Sequence, residues 1–323
     1  MIKKLAEGFT VDGKAFNAPV VVTGAGGCIG SWVVAMLHES GVKTISMDLN
    51  KSESRLRLLM KDDELITINW ELGDISDEKY VFETIEKHKP QAIIHLAAMQ
   101  IPFCAVDPIK GAQTNVVGFV NIMEAARKND IKRIAYASSI AAYGLMDSKK
   151  YQPTFYGAYK VCNEHYCEAL FKNNGVPSIG LRPSIVYGVG RDQGMTAKPT
   201  EAILAAAAKK KFTIPFSGPI SVLYAGEVAA AFIKAVSKDI SDAMVFDING
   251  SFTSVEDWCG LVRKINPDSS IAIEGNSLPF PVGMSDDPLR EQVGDYGIID
   301  PEEGIKLTYM AFSQLLSEGK LKM

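Results

Sequence analysis

The chain has 323 residues, of which 47% are hydrophobic and 22% charged. These values are ordinary for a globular protein and exclude disordered, collagen-like and disulfide-scaffold classes. The formal net charge of −4 gives no basic surplus for nucleic acid, and the five cysteines contain no CxxC pair. An odd cysteine count suits a reducing compartment, so a cytoplasmic location is expected. The opening MIKKLAEGFTVDGKAFNAP mixes charges and glycines with apolar residues, leaving no continuous hydrophobic stretch for a signal peptide. No run of about 18 apolar residues predicts a membrane span.

Taken in chain order, short apolar runs alternate with longer helical patterns through the first half. Strands are expected at 20–23, 44–48, 66–69, 92–96, 134–138 and 178–182, with helices at 29–40, 78–87, 116–129 and 156–173. Near-continuous apolar runs such as PVVVTG and AIIHLAA suit strands covered on both faces of a parallel sheet. The alternation predicts an α/β fold, a Rossmann-type doubly wound parallel sheet. Beyond about residue 183 glycines and prolines cluster at 188–194 and 215–219. Helical patterns follow at 201–210, 226–237, 254–265 and 303–318, with a strand at 245–248. The expected organisation is a dinucleotide-binding domain over 1–183 and a smaller, mainly substrate-binding region over 184–323, some of whose segments return to the first domain.

The segment Thr23-Gly24-Ala25-Gly26-Gly27-Cys28-Ile29-Gly30 follows the first strand and opens the first helix. Glycines at this junction permit a tight turn, close approach to a pyrophosphate and helix–strand packing, while free N–H groups face the phosphates. Asp48 ends the second strand, where a carboxylate would accept from ribose hydroxyls and repel a 2′-phosphate. That favours NAD, although Asp48 would also serve as a helix N-cap. Arg55 and Arg57 lie further on as possible NADP contacts. Asp74, after the third strand, would reach the adenine edge or cap the next helix.

Tyr156 and Lys160 are spaced i, i+4 on a helical pattern and share a face. An ammonium beside a phenol, with a positive nicotinamide ring, would favour phenolate and make Tyr156 a general base. Ser139 stands at the carboxyl end of the fifth strand, where ligands sit in open α/β sheets. His95 lies inside an apolar strand and reads as packing. No histidine, cysteine or carboxylate spacing indicates a metal site.

Together TGAGGCIG, HLAA at 95–98, NVVGFVNIMEAA from Asn115, YASSIAAYG from Tyr136, YGAYK at 156–160 and LRPSIVYG at 181–188 resemble the extended short-chain dehydrogenase/reductase superfamily. That group contains nucleotide-sugar epimerases, dehydratases and some free-sugar dehydrogenases. The resemblance implies Ser139, Tyr156 and Lys160 as the catalytic triad, with Asn115 as the accompanying structural asparagine. It also implies NAD held by Gly24, Gly27, Cys28, Ile29, Gly30, Asp48, Asp74, Ile75, Leu96, Ala97, Ala98, Tyr156, Lys160 and Pro183. A homodimer through the helices near 115–129 and 156–173 is implied too.

The departures from the family pattern narrow the substrate. Nucleotide-sugar members usually carry an asparagine where this chain has Ile185, and an arginine where it has Ile220. Losing both favours a small substrate without a nucleotide. Arg191 then becomes the candidate for a substrate carboxylate, an arrangement similar to uronate and hydroxy-acid dehydrogenases; pairing with Asp192 or the loop backbone is its bland alternative. Gln100, together with Ser139 and Tyr156, completes the candidate substrate contacts. The expected activity is NAD-dependent oxidation of a secondary alcohol or hemiacetal of a small sugar acid or polyhydroxy acid. The alternative is a sugar or nucleotide-sugar epimerase with tightly held NAD, and a third reading is a dinucleotide sensor without chemistry.

Overall fold

A computed structural model describes residues 1–9, 11–147 and 150–323. Seven strands form one parallel sheet: β1 (Val20–Thr23), β2 (Thr44–Asp48), β3 (Asn69–Leu72), β4 (Ala92–His95), β5 (Arg133–Ala137), β6 (Ser178–Pro183) and β7 (Ala243–Ile248). Their order is β7-β6-β5-β4-β1-β2-β3, so the winding direction reverses between β1 and β4. Val20, Val21 and Val22 face strands on both sides in register with Thr44–Ser46 and Ala92–Ile94 partners and have no solvent exposure. This is the doubly wound architecture expected from the apolar runs.

Helices cover both faces. α1 (Cys28–Glu39) packs with α5 (Ala225–Ala235) on one side. On the other, α2 (Glu78–His88), α3 (Gly118–Lys128) and α4 (Phe155–Asn174) pack in sequence. Remaining helices include α6 (Val255–Ile265) and α7 (Pro301–Ser317). The strand β7 joins β6 in the main sheet, and α5 lies against α1, so the second half of the chain shares the first half's core. A smaller three-stranded sheet places Pro219–Tyr224 between Ile185–Tyr187 and Ser251–Ser254.

Some boundaries differ from expectation for local reasons. The third strand lies at 69–72 rather than 66–69. Residues before it belong to a short helix, Asp62–Leu65, in which the Glu64 carboxylate accepts from Lys61 N–H at 2.7 Å, and Ile66 is 83% exposed at its end. The helix expected at 116–129 begins as a π-helical turn, Gln113–Val117, that turns Asn115 inward. The first residues pack onto the rest of the fold. Ile2, Leu5 and Phe9 are buried in the core, Tyr224 donates to the Leu5 carbonyl, and Arg133 donates to the Ala15 carbonyl at the amino end of the sheet.

Candidate active site

The carboxyl ends of β1, β2, β4, β5 and β6 open into a cleft of about 690 Å³. Gly24, Gly27, Cys28, Ile29, Gly30, Asp48, Asp74, Ile75, Leu96, Ala97, Ala98, Gln100, Ser139, Tyr156, Lys160, Pro183 and Arg191 all line it. Asn115 is the one candidate set back from the wall.

At one end the glycine loop crosses from β1 to α1. A Cβ on Gly30 would lie 2.1 Å from the Gly24 carbonyl oxygen, so only glycine permits this packing. Gly27 caps α1 without any side-chain bond, leaving the first N–H groups of the helix uncapped at the cleft. The loop's shape and these open donors fit the diphosphate of a dinucleotide. Asp48 accepts from the backbone N–H groups of Gly26 at 2.9 Å and Leu49 at 2.8 Å. It is therefore anchored at the loop and is not a helix cap. Asp74 accepts from Ser76 N–H and hydroxyl, while Asp77 caps α2. Ile75 is held by Asn121, whose amide donates to its carbonyl at 3.0 Å.

Arg55, the possible NADP contact, is engaged within the chain. It donates to the carbonyls of Gly190 and Gly26 and pairs with Asp192 at 2.6 Å, stapling the glycine loop to the loop after the small sheet. Asp192 is thereby used, and Arg191 has one hydrogen-bond partner among the described residues, Thr196 Oγ1 at 2.7 Å. Its Nε is buried without a hydrogen bond. A Cβ on Gly194 would lie 3.4 Å from Gln100 Oε1 and 3.9 Å from Arg191 Nη2, so Gln100 and Arg191 converge on one spot of the wall.

On the other flank Ser139 caps the turn Ile140–Tyr143, accepting from Ala141 N–H at 3.1 Å. Gly157 lets α4 run against this turn: a Cβ there would sit 2.2 Å from the Ala141 carbonyl oxygen. α4 thus presents Tyr156 and Lys160 to the cleft beside Ser139. Lys160 Nζ donates to the Ala137 carbonyl and lies 5.4 Å from the Tyr156 ring centre. Burial pulls the Lys160 ammonium down to about 8, with Cys104 and Glu164 opposing. Burial pushes the Tyr156 phenol up to about 12, partly offset by its hydrogen bond with Ser139. The expected lowering of Tyr156 by Lys160 is absent in the protein alone, because desolvation of the phenol dominates.

Asn115 holds the cleft floor from behind. Its side chain accepts from Met99 N–H at 2.8 Å and donates to the Met99 carbonyl, while its own carbonyl accepts from Asn163. His95 is buried against Thr23 and Phe119 and pulled down to about 3 by burial, so it is neutral packing. Ile185 and Ile220 are buried among Ile140, Leu278, Phe280 and Val282.

The family model of the NAD dependent epimerase/dehydratase family matches residues 20–248, and the chain belongs to that family. Protein CapI of Staphylococcus aureus is 29% identical over 201 residues, 57% of this chain and 59% of that protein. The chain thus spans about three fifths of the length of the first curated relatives it matches. An uncharacterized epimerase/dehydratase of S. aureus strain USA300 is 26% identical across 85% of both chains. Among solved structures, UDP-glucose 4-epimerase of Thermotoga maritima with UDP-glucose superposes with a TM-score of 0.78 at 25% identity, covering 92% of this chain and 99% of that one. L-threonine dehydrogenase of Clostridium difficile gives 0.75 at 20% identity, covering 92% and 98%. The cofactor of this family is NAD, and the Thermus thermophilus UDP-glucose 4-epimerase (TM-score 0.75, 21% identity, covering 91% and 98%) was crystallised with it. Among the described residues no helix is long and apolar enough to cross a membrane.

Proposed function

We propose that the chain is an NAD-dependent dehydrogenase that oxidises a secondary alcohol or hemiacetal of a small sugar acid or polyhydroxy acid. The observation that carries this reading is Arg191: a guanidinium in the cleft wall that has, among the described residues, one hydrogen-bond partner and a buried donor unused. An under-employed guanidinium in a shielded wall favours a carboxylate, which it meets with a fork of parallel N–H donors. Gln100 beside it would meet a neighbouring hydroxyl or the same carboxylate. The buried, apolar environment of Ile185 and Ile220 supports a substrate without a nucleotide.

In this reading Ser139, whose oxygen accepts from Ala141 N–H and whose hydroxyl meets Tyr156 in the chain alone, turns that hydroxyl to donate to the substrate alcohol. Tyr156, as the phenolate, takes the alcohol proton. Lys160 holds the ribose of the cofactor, and Arg191 fixes the substrate so that the reacting carbon faces the ring. Bound NAD⁺ supplies the hydride acceptor and a positive charge beside a phenol that the chain alone keeps near 12. A second reading, an epimerase retaining NAD, rests on the likeness to the Thermotoga enzyme and uses the same three side chains. The chain is further proposed to pair as a homodimer through α3 and α4, at whose starts Val117 and Phe155 remain 47% and 54% exposed. Its five free thiols accord with the reducing conditions of a cytoplasm.

Arg191→Gln tests the assignment. KM for acidic substrates should rise by at least tenfold, roughly the loss of one charge-assisted contact, while neutral polyols are unaffected. An equal rise for neutral and acidic substrates refutes the carboxylate contact.

A further inference from the structure

Behind the wall that carries Ser139, Tyr156 and Lys160 lies a charged network that the reading above does not use. Glu164 follows Lys160 by one turn of α4 and Tyr156 by two, so the three share a face. Arg182 grips Glu164 with two parallel bonds, Nε to Oε1 at 2.8 Å and Nη2 to Oε2 at 2.6 Å. The remaining arm, Nη1, donates to Tyr143 Oη at 2.8 Å, and Tyr143 donates in turn to Asp247 Oδ2 at 2.9 Å. Ser138 Oγ donates to Glu164 Oε1.

Each member adjoins a wall residue. Ser138 precedes Ser139, Tyr143 ends the turn that Ser139 caps, and Arg182 precedes Pro183. Asp247 brings in β7, which lies beside β6 in register with Arg182. The side chains of Arg182 and Glu164 are only 20% and 10% exposed. Solvent-facing pairs contribute little, but removing one partner of a shielded, forked pair is costly and its geometry is directional. The pair ties the helix bearing the phenol and amine to the strand ends bearing Ser139 and Pro183.

We propose that Glu164 and Arg182 are positioning residues of this site: their forked pair sets α4 against the ends of β5 and β6, and Glu164 supplies a fixed negative charge behind Lys160. This rests on the reading that Ser139, Tyr156 and Lys160 carry the chemistry. The charge of Glu164 gives this role a readout that fold maintenance alone would not move. Glu164 favours the ammonium of Lys160 against its burial. The other titratable groups facing that amine are Tyr156 on the same helix, Cys104 from Ile101–Val106, and His95, which stays neutral.

The test uses the full chain and its Glu164→Gln and Arg182→Met variants. NADH affinity is titrated by fluorescence from about pH 6 to pH 9.5, beside thermal melting and turnover. Both variants should melt lower. The pH above which NADH binding weakens should fall in E164Q, by about half a unit or more for a partly screened charge. In R182M, where Glu164 keeps its charge without a counter-ion, it should rise. Opposite displacements by two variants that break the same pair are not the signature of a purely structural role. If either variant fails to fold, Ser138→Ala and Tyr143→Phe keep both charges; each should lower kcat several-fold with NADH affinity within about twofold. Unmoved pH limbs, or unaltered kcat in the milder pair, overturn the inference while leaving the dehydrogenase reading intact. A wild-type chain that binds no NADH overturns both.

Discussion

Lys160 offers a measurement on the protein without any ligand. The residue is 3% exposed, and burial brings the amine from 10.5 to about 8. Near pH 7 the amine is protonated in both folded and unfolded chains, so the folded state carries the full desolvation cost, roughly 3 kcal/mol at 1.36 kcal/mol per tenfold change. Between about 8 and 10.5 the unfolded chain holds the extra proton, and stability rises with pH. The cost that remains near pH 9.5 is about 1 kcal/mol. Lys160→Met removes the amine and leaves the Ala137 carbonyl without its donor, a loss of about 1 kcal/mol. The variant should therefore be about 2 kcal/mol more stable than wild type near pH 7, and the advantage should almost vanish near pH 9.5. Urea denaturation of the two proteins, freed of nucleotide, at the two pH values measures this directly. A variant less stable than wild type near pH 7, with a gap independent of pH, refutes the reasoning.

Three further substitutions address the site. Tyr156→Phe should leave NADH affinity nearly unchanged and lower turnover by about a hundredfold or more, the scale of a lost general base, in steady-state assay. Asp48→Ala should reduce the preference for NAD over NADP, read as the ratio of kcat/KM for the two cofactors, because the carboxylate anchored by Gly26 and Leu49 is lost. Gly30→Ala, with its Cβ 2.1 Å from the Gly24 carbonyl oxygen, should weaken NADH binding by tenfold or more and lower the melting temperature. Wild-type values in any of these would detach that residue from its assigned role.

The strands of the main sheet are legible because burial on both faces forces near-unbroken apolar runs, and the glycine loop because its packing excludes a side chain. The 66–69 register was beyond the sequence pattern. Its β-branched residues resemble a strand, yet a cap by Glu64 commits the preceding residues to a helix and leaves Ile66 in solvent. The strand Pro219–Tyr224 is masked in the sequence by the prolines and glycines at its start. The wall of the cleft is readable where motifs sit at strand ends. What spacing cannot reveal is pairing across the fold: Arg55 with Asp192, and Glu164 with Arg182. Nor does the i, i+4 relation of Tyr156 and Lys160 tell the sign of the phenol's shift, since desolvation enters only with the surrounding atoms.

The central claim is net oxidation of a small acidic alcohol, and the most direct measurement is NADH appearance at 340 nm from purified protein and NAD⁺. The substrates are uronic acids, aldonic acids, four-carbon hydroxy acids and neutral aldoses, run beside two nucleotide sugars followed by chromatography. The account predicts stoichiometric NADH from an acid and a weaker response from its neutral counterpart. Interconversion of a nucleotide sugar without net NADH would contradict it.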